Sequence, residues 1–97
     1  MPRKILRRPK AGHDLKGIWK HTLHQWGEKQ ADKYLHELES GIFDLAENPE
    51  MGVSCEYIRK GYRRLHVNNH LIFYCQTKEH IEIIRVLHEN MDTERHL

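Results

Sequence analysis

The sequence predicts an α+β fold of order β-α-α-β-β-β, with a helical hairpin packed on one face of a mainly antiparallel four-stranded sheet. Three observations carry that prediction. Two stretches with apolar residues at helical spacing are separated only by Gly27. After Gly61 the pattern changes to short runs rich in β-branched and aromatic residues, divided by Asn68-Asn69 and by Thr77-Lys78-Glu79. The length, 97 residues with 38% hydrophobic side chains, suits one domain over residues 1–97 with a modest core.

Residues 3–8 read as a short basic strand, which Pro9 must end because it has no N–H to give to a ladder. Residues 11–26 read as a helix, since Leu15, Ile18, Trp19, Thr22 and Trp26 share one face. Asp14 lies near its start, where a carboxylate suits the helix dipole. Gly27 is expected to close it in a left-handed conformation. A second helix is expected from Glu28 to Asn48, with the stripe Ala31, Tyr34, Leu35, Leu38, Ile42, Leu45 and Ala46, and Asn48-Pro49 ends it. Gly41 inside this helix costs on the order of 1 kcal/mol relative to alanine, which close packing against a neighbour would explain. A one-residue break between two amphipathic helices predicts an antiparallel hairpin.

Residues 50–61 read as irregular. Strands are then predicted at Tyr62–Val67, His70–Gln76 and Ile81–Leu87, the first two joined by a tight Asn68-Asn69 turn. The run Leu71-Ile72-Phe73-Tyr74-Cys75 marks a central strand covered on both faces. The tail from His88 is short and polar.

Net charge is only +2 but unevenly spread. Residues 1–10 carry five cations and no acid, residues 28–50 carry seven acids against two cations, and Arg59, Lys60, Arg63 and Arg64 form a second basic cluster. A protein that grips RNA as its main task carries a larger positive excess, so this balance argues against direct sequence-specific binding of nucleic acid. The basic N-terminus has no apolar core, so it does not read as a signal peptide, and no apolar run is long enough for a membrane. Cys55 and Cys75 are expected to be reduced thiols in the cytoplasm. His21 and His24 lie three apart on a helix, but nothing at motif spacing completes a metal site, so no metal and no cofactor are expected.

Three groups of residues invite a functional reading. Arg85 in the last strand alternates with Ile83 and Leu87. If Ile84 and Val86 face the hairpin, its planar fork points to the open sheet face, where it can take a phosphate or a carboxylate. The structural alternative is an ion pair with a tail acid such as Asp92. His88 is the only plausible titrating catalyst near it in sequence and could serve as a general base in a nuclease. The tail Glu89 to Glu94 is acidic, however, and has no aromatic residue to stack on a base. Leu23 and Phe43 lie about 80° and about 120° off the main stripes of their helices. With Trp19 they are candidates for a groove that accepts an amphipathic helix, and the acidic second helix would suit a basic partner segment.

In order and spacing the residues resemble the ParE family of type II toxin–antitoxin systems, from about Ala11 to Asp92. The matching pieces are Ala11, Asp14-Leu15 and Ile18; Trp26-Gly27; Gln30-Ala31 and Tyr34; Leu45-Ala46, Asn48-Pro49 and Gly52. They continue through Ile58-Arg59, Gly61-Tyr62-Arg63, Ile72-Phe73-Tyr74, Arg85-Val86-Leu87-His88 and Met91-Asp92. The resemblance implies a microbial-ribonuclease-like sheet with a helical hairpin. It also implies a cognate ParD-like antitoxin, DNA gyrase as target, and inhibition by binding rather than catalysis. Structurally related RelE toxins cut messenger RNA on the ribosome, which is the alternative reading. The expected target-binding residues are Arg59, Arg63, Arg85, His88, Met91 and Asp92. The expected antitoxin contacts are Trp19, Leu23 and Phe43.

Overall fold

A computed structural model describes residues 3–97. Met1 and Pro2, where the basic N-terminal stretch begins, lie outside the described residues. The elements are β1 (Lys4–Arg7), α1 (Pro9–Trp26), α2 (Glu28–Asp44), β2 (Val53–Ser54), β3 (Tyr62–Val67), β4 (His70–Gln76), β5 (His80–His88) and α3 (Thr93–His96). The sheet has five strands, in the order β1-β5-β4-β3-β2. Only β1 runs parallel to its neighbour, β5. The strand that the sequence did not announce is β2, whose two residues pair with Arg64 and Arg63. Two residues are too few to show a period.

Helix α1 begins at Pro9, two residues before the predicted start, because proline's fixed φ and missing N–H suit the first turn. Gly27 ends α1 and begins α2 in one residue, with φ 92° and ψ 172° and its N–H on the Leu23 carbonyl. This is not the left-handed helical region that was expected but an extended positive-φ region open essentially to glycine alone. Helix α2 stops at Asp44, short of Asn48. Leu45, Ala46 and Glu47 donate to the carbonyls three residues back, a tightening typical of a helix end. Asn68 alone takes φ 53° in the turn between β3 and β4.

The hairpin covers one sheet face. There Ala11, Leu15, Leu38, Ile42 and Leu45 pack on Ile72, Tyr74, Ile81, Ile83 and Val86. Gly41 lets α2 come close to β3, since a Cβ there would meet Val67 Cγ2 at 2.9 Å. Its close neighbour is thus the sheet. The opposite face carries a smaller cluster of Cys55, Leu71, Phe73, Ile84 and Leu87, flanked by Ile58, Tyr62, Cys75 and Leu97. Residues Leu71 to Tyr74 are all buried, as a central strand requires. Trp26, predicted on the α1 stripe, is 75% exposed at the hairpin's tip.

Strand β5 does not alternate simply. Phe73 stands opposite Arg85 and Tyr74 opposite Ile83, so Ile84 is the extra residue of a β-bulge. Ile83 and Val86 therefore face the hairpin, while Ile84 joins the other cluster. The regular alternation expected for residues 83–88 fails here. Both cysteines are free. Cys55 bonds to Tyr62, which faces Cys75, so the thiols lie two strands or roughly 10 Å apart. That is beyond the reach of about 7 Å between the Cα atoms of a disulfide. Burial raises both thiol pKa values. No helix among the described residues is long and apolar enough to cross a membrane.

Candidate functional site

The bulge decides what Arg85 does. Its Nε and Nη2 donate to the two carboxylate oxygens of Asp14 at 2.7 and 2.9 Å, and the Val86 N–H donates to the same carboxylate at 2.9 Å. The hydrogen bond to Asp14 raises the guanidinium pKa further. The predicted partner, Asp92, instead sits 3.8 Å from Arg95 at the start of α3. Asp14 is thus not a dipole residue of the first turn, as its position in sequence suggested. It stands in the second turn of α1 and clamps the bulged strand.

One side of this clamp opens into a hollow of about 400 Å³ between α1, β5 and the following turn. His13, Gly17 and His21 line it from α1, spaced four residues apart, with His70, His88 and Met91 opposite. His70 is held edge-on between Tyr34 and His88, at centroid distances of 5.5 and 5.3 Å. The Tyr34 hydroxyl accepts the Asn69 N–H and is hydrogen-bonded to His70 Nδ1 at 2.6 Å. Burial, and then repulsion by His88, lowers the His70 pKa to about 4. His88 Nδ1 accepts the Asn90 N–H, which places its proton on Nε2. Sequence reading found His88 and Met91 but missed His13 and His70. The spacing of four between His13, Gly17 and His21 was the available signal. Among the described residues no group of three or more His, Cys, Asp or Glu is arranged to hold a metal ion.

The other side of the clamp is the open sheet face. A cavity of about 480 Å³ there is lined by Arg8, Lys10, Arg59 and Arg85, with Tyr62, Ile84, His96 and Leu97. Arg8 is paired with Glu82 across the β1–β5 seam. Arg63 and Arg64 do point to opposite faces. Arg64 donates to the Tyr57 hydroxyl, while Arg63 donates to the Gly52 carbonyl at 2.7 Å on the hairpin side. The six residues expected at the target surface therefore fall into groups. Arg59 and Arg85 share the open-face cavity, His88 and Met91 share the histidine hollow, Asp92 caps α3 just after Met91, and Arg63 stands apart on β3, two strands from β5.

A groove runs where the hairpin meets the edge strand β1. Arg7 and Glu39, joined at 2.8 Å, link two hollows of about 500 and about 360 Å³. Trp19 lines the first, its indole N–H bonded to Asp32, and Phe43, 70% exposed, lines the second. Leu23 is partly buried and lines neither. The charged walls are Arg7, Lys16 and Lys20 against Glu39, more basic than the composition of α2 suggested.

The family described as ParE toxin of type II toxin-antitoxin system, parDE, matches residues 5–93. Toxin ParE1 of Mycobacterium tuberculosis is 43% identical over 98 residues, covering 100% of both chains. Toxin ParE1 of Caulobacter vibrioides is 43% identical over 96 residues, covering 99% of this chain and 97% of the other. Among solved structures, a chromosomal ParDE system from P. aeruginosa superposes with a TM-score of 0.79 at 19% identity, over 89% of this chain and 95% of that one. The RelBE2 toxin–antitoxin complex from M. tuberculosis gives 0.64 at 21% identity, over 91% and 99%. These likenesses bear on the fold, while the family match and the full-length relatives decide membership: the chain belongs to the ParE toxin family of type II toxin–antitoxin systems.

Proposed function

We propose that the chain arrests growth by binding DNA gyrase, with no chemistry of its own, and that a ParD-type antitoxin silences it. The observation that carries this reading is the Asp14–Arg85 clamp. A ribonuclease on this sheet needs a free arginine to hold the scissile phosphate beside a titrating group. Here two of the guanidinium nitrogens are already on a carboxylate, and His88 faces a different hollow. A fixed clamp shapes a surface better than it serves a reaction. The target-binding residues in this reading are Arg59, Arg85, His88, Met91 and Asp92 near the tail, with Arg63 as an outlying contributor.

The antitoxin would lie in the hairpin groove, with apolar side chains on Trp19 and Phe43 and with Leu23 at its margin. The Arg7, Lys16 and Lys20 walls suit acidic flanks on that segment. The test is supercoiling by purified gyrase in the presence of the purified chain. Inhibition with accumulation of cleaved DNA is expected, and full supercoiling at saturating chain would refute the reading. The competing reading, a ribosome-dependent ribonuclease, predicts cleaved messages in a translation extract and their loss in Arg85→Ala.

A further inference from the structure

We propose that the histidine hollow seats an aromatic side chain of a protein partner. The first observation is Gly17, in the middle of α1 between His13 and His21. Glycine inside a helix is costlier than alanine. Gly41 has its reason in the close approach to Val67. Among the described residues Gly17 has no such reason: its φ is not positive, and a Cβ built on it meets nothing within 4 Å. The space left by its missing side chain opens into the hollow of about 400 Å³.

The walls call for an uncharged occupant. No lysine or arginine lines the hollow among the described residues, and its one acid, Asp14, is already compensated by Arg85. His70 is neutral, because burial and then His88 hold its pKa at about 4. His88 is neutral in this arrangement too, since its Nδ1 accepts the Asn90 N–H. A charged group brought here would lose its water and find no counter-charge.

The same walls favour a ring over an aliphatic chain. Ile18, Val86, Leu87 and Met91 supply apolar surface, and Met91 is exposed. His70 and His88 add two imidazole rings set edge to face, with centroids 5.3 Å apart. An aromatic side chain gains edge-to-face contacts with such rings and a sulfur contact with Met91, beyond the area it buries. Both imidazoles are fixed beforehand, His70 by the Tyr34 hydroxyl and His88 by the Asn90 N–H, so binding orders little of the wall. A nucleobase is also aromatic, but it brings a phosphate that the hollow has no lysine or arginine to meet, and Glu89 and Asp92 lie in the turn that follows β5.

The inference rests on the reading that His88 and Met91 belong to the target surface, but its test does not use gyrase. The isotopically labelled full chain is titrated with blocked pentapeptides that carry tryptophan, leucine or glutamate between glycines, and with an RNA hexamer. The tryptophan peptide should shift the Gly17 amide and the Met91 methyl, and should bind about fivefold more tightly than the leucine peptide. The glutamate peptide and the RNA should bind more weakly than either. Gly17→Leu fills the hollow and should weaken the tryptophan peptide about tenfold or more. Gly17→Ala intrudes less and should weaken it by a smaller factor, while raising the melting temperature by about 4 °C or more, because the helix gains and nothing is displaced. Equal binding of the tryptophan and leucine peptides would overturn the proposal, as would tighter binding of the glutamate peptide or the RNA. So would unchanged affinity in either Gly17 variant, or a lower melting temperature in Gly17→Ala, which would return the glycine to the service of the fold. Failure here leaves gyrase inhibition to its own assay, and failure of gyrase inhibition leaves the peptide result to stand.

Discussion

Asp14 satisfies three donors at once, two from Arg85 and one from the Val86 backbone, which lies beyond the last residue of β5 that pairs with β1. Asp14→Ala should therefore destabilise the fold by about 2–3 kcal/mol, the range for hydrogen bonds to charged groups, as read from urea unfolding. A cost below about 0.5 kcal/mol would show that the clamp is not structural. Tyr74 is a second such point. Its buried hydroxyl accepts the Gly52 N–H and donates to the Pro49 carbonyl at 2.9 and 2.8 Å. Tyr74→Phe keeps the ring but strands both partners, and should cost about 1–3 kcal/mol. Neither role was legible in the sequence. Asp14 is 71 residues from Arg85, and the β-bulge that joins them changes no residue type, so periodicity alone put Ile84 on the wrong face.

At the scale of elements, the two helices and the central strand were legible because long amphipathic stripes and a continuous apolar run leave few alternatives. Their ends were less so. Pro9 could stop a strand or start a helix and does both, and α2 ends on local tightening that the buried Leu45 and Ala46 conceal. The hairpin turns on Gly27, whose backbone no other residue adopts without strain. Gly27→Ala should cost about 1–3 kcal/mol in thermal or chemical unfolding. The contact between α2 and the β3–β4 turn makes the fold acid-sensitive through His70. Its pKa is lowered to about 4 by burial and then by His88, so the unfolded chain binds the proton more readily. The sign follows: the stabilisation is complete above the ordinary imidazole value near ~6.5, fades as pH falls towards about 4, and changes no further below that. His70→Gln should flatten the stability curve in that window relative to the parent. An unchanged slope would mean the imidazole is already solvated.

Across the whole molecule, the proposed function assigns two tasks to the two sides of the sheet. The hairpin side carries a groove that ends at Trp19 and Phe43, and the opposite side and the α1–β5 seam carry the cations, the histidine hollow and the tail. Family membership was legible at this scale through the order of many weak signals, from Asp14-Leu15 to Met91-Asp92, rather than through any single motif. The division predicts separable variants. Phe43→Asp should weaken silencing by the antitoxin while leaving growth arrest intact, measured by co-expression. The central claim, that the chain binds its target rather than cutting RNA, is most directly tested by inducing the chain alone and following DNA breaks and message integrity in the same culture. Breaks are expected to appear first, with messages still intact; cleaved messages preceding any break would mean that the chain cuts RNA.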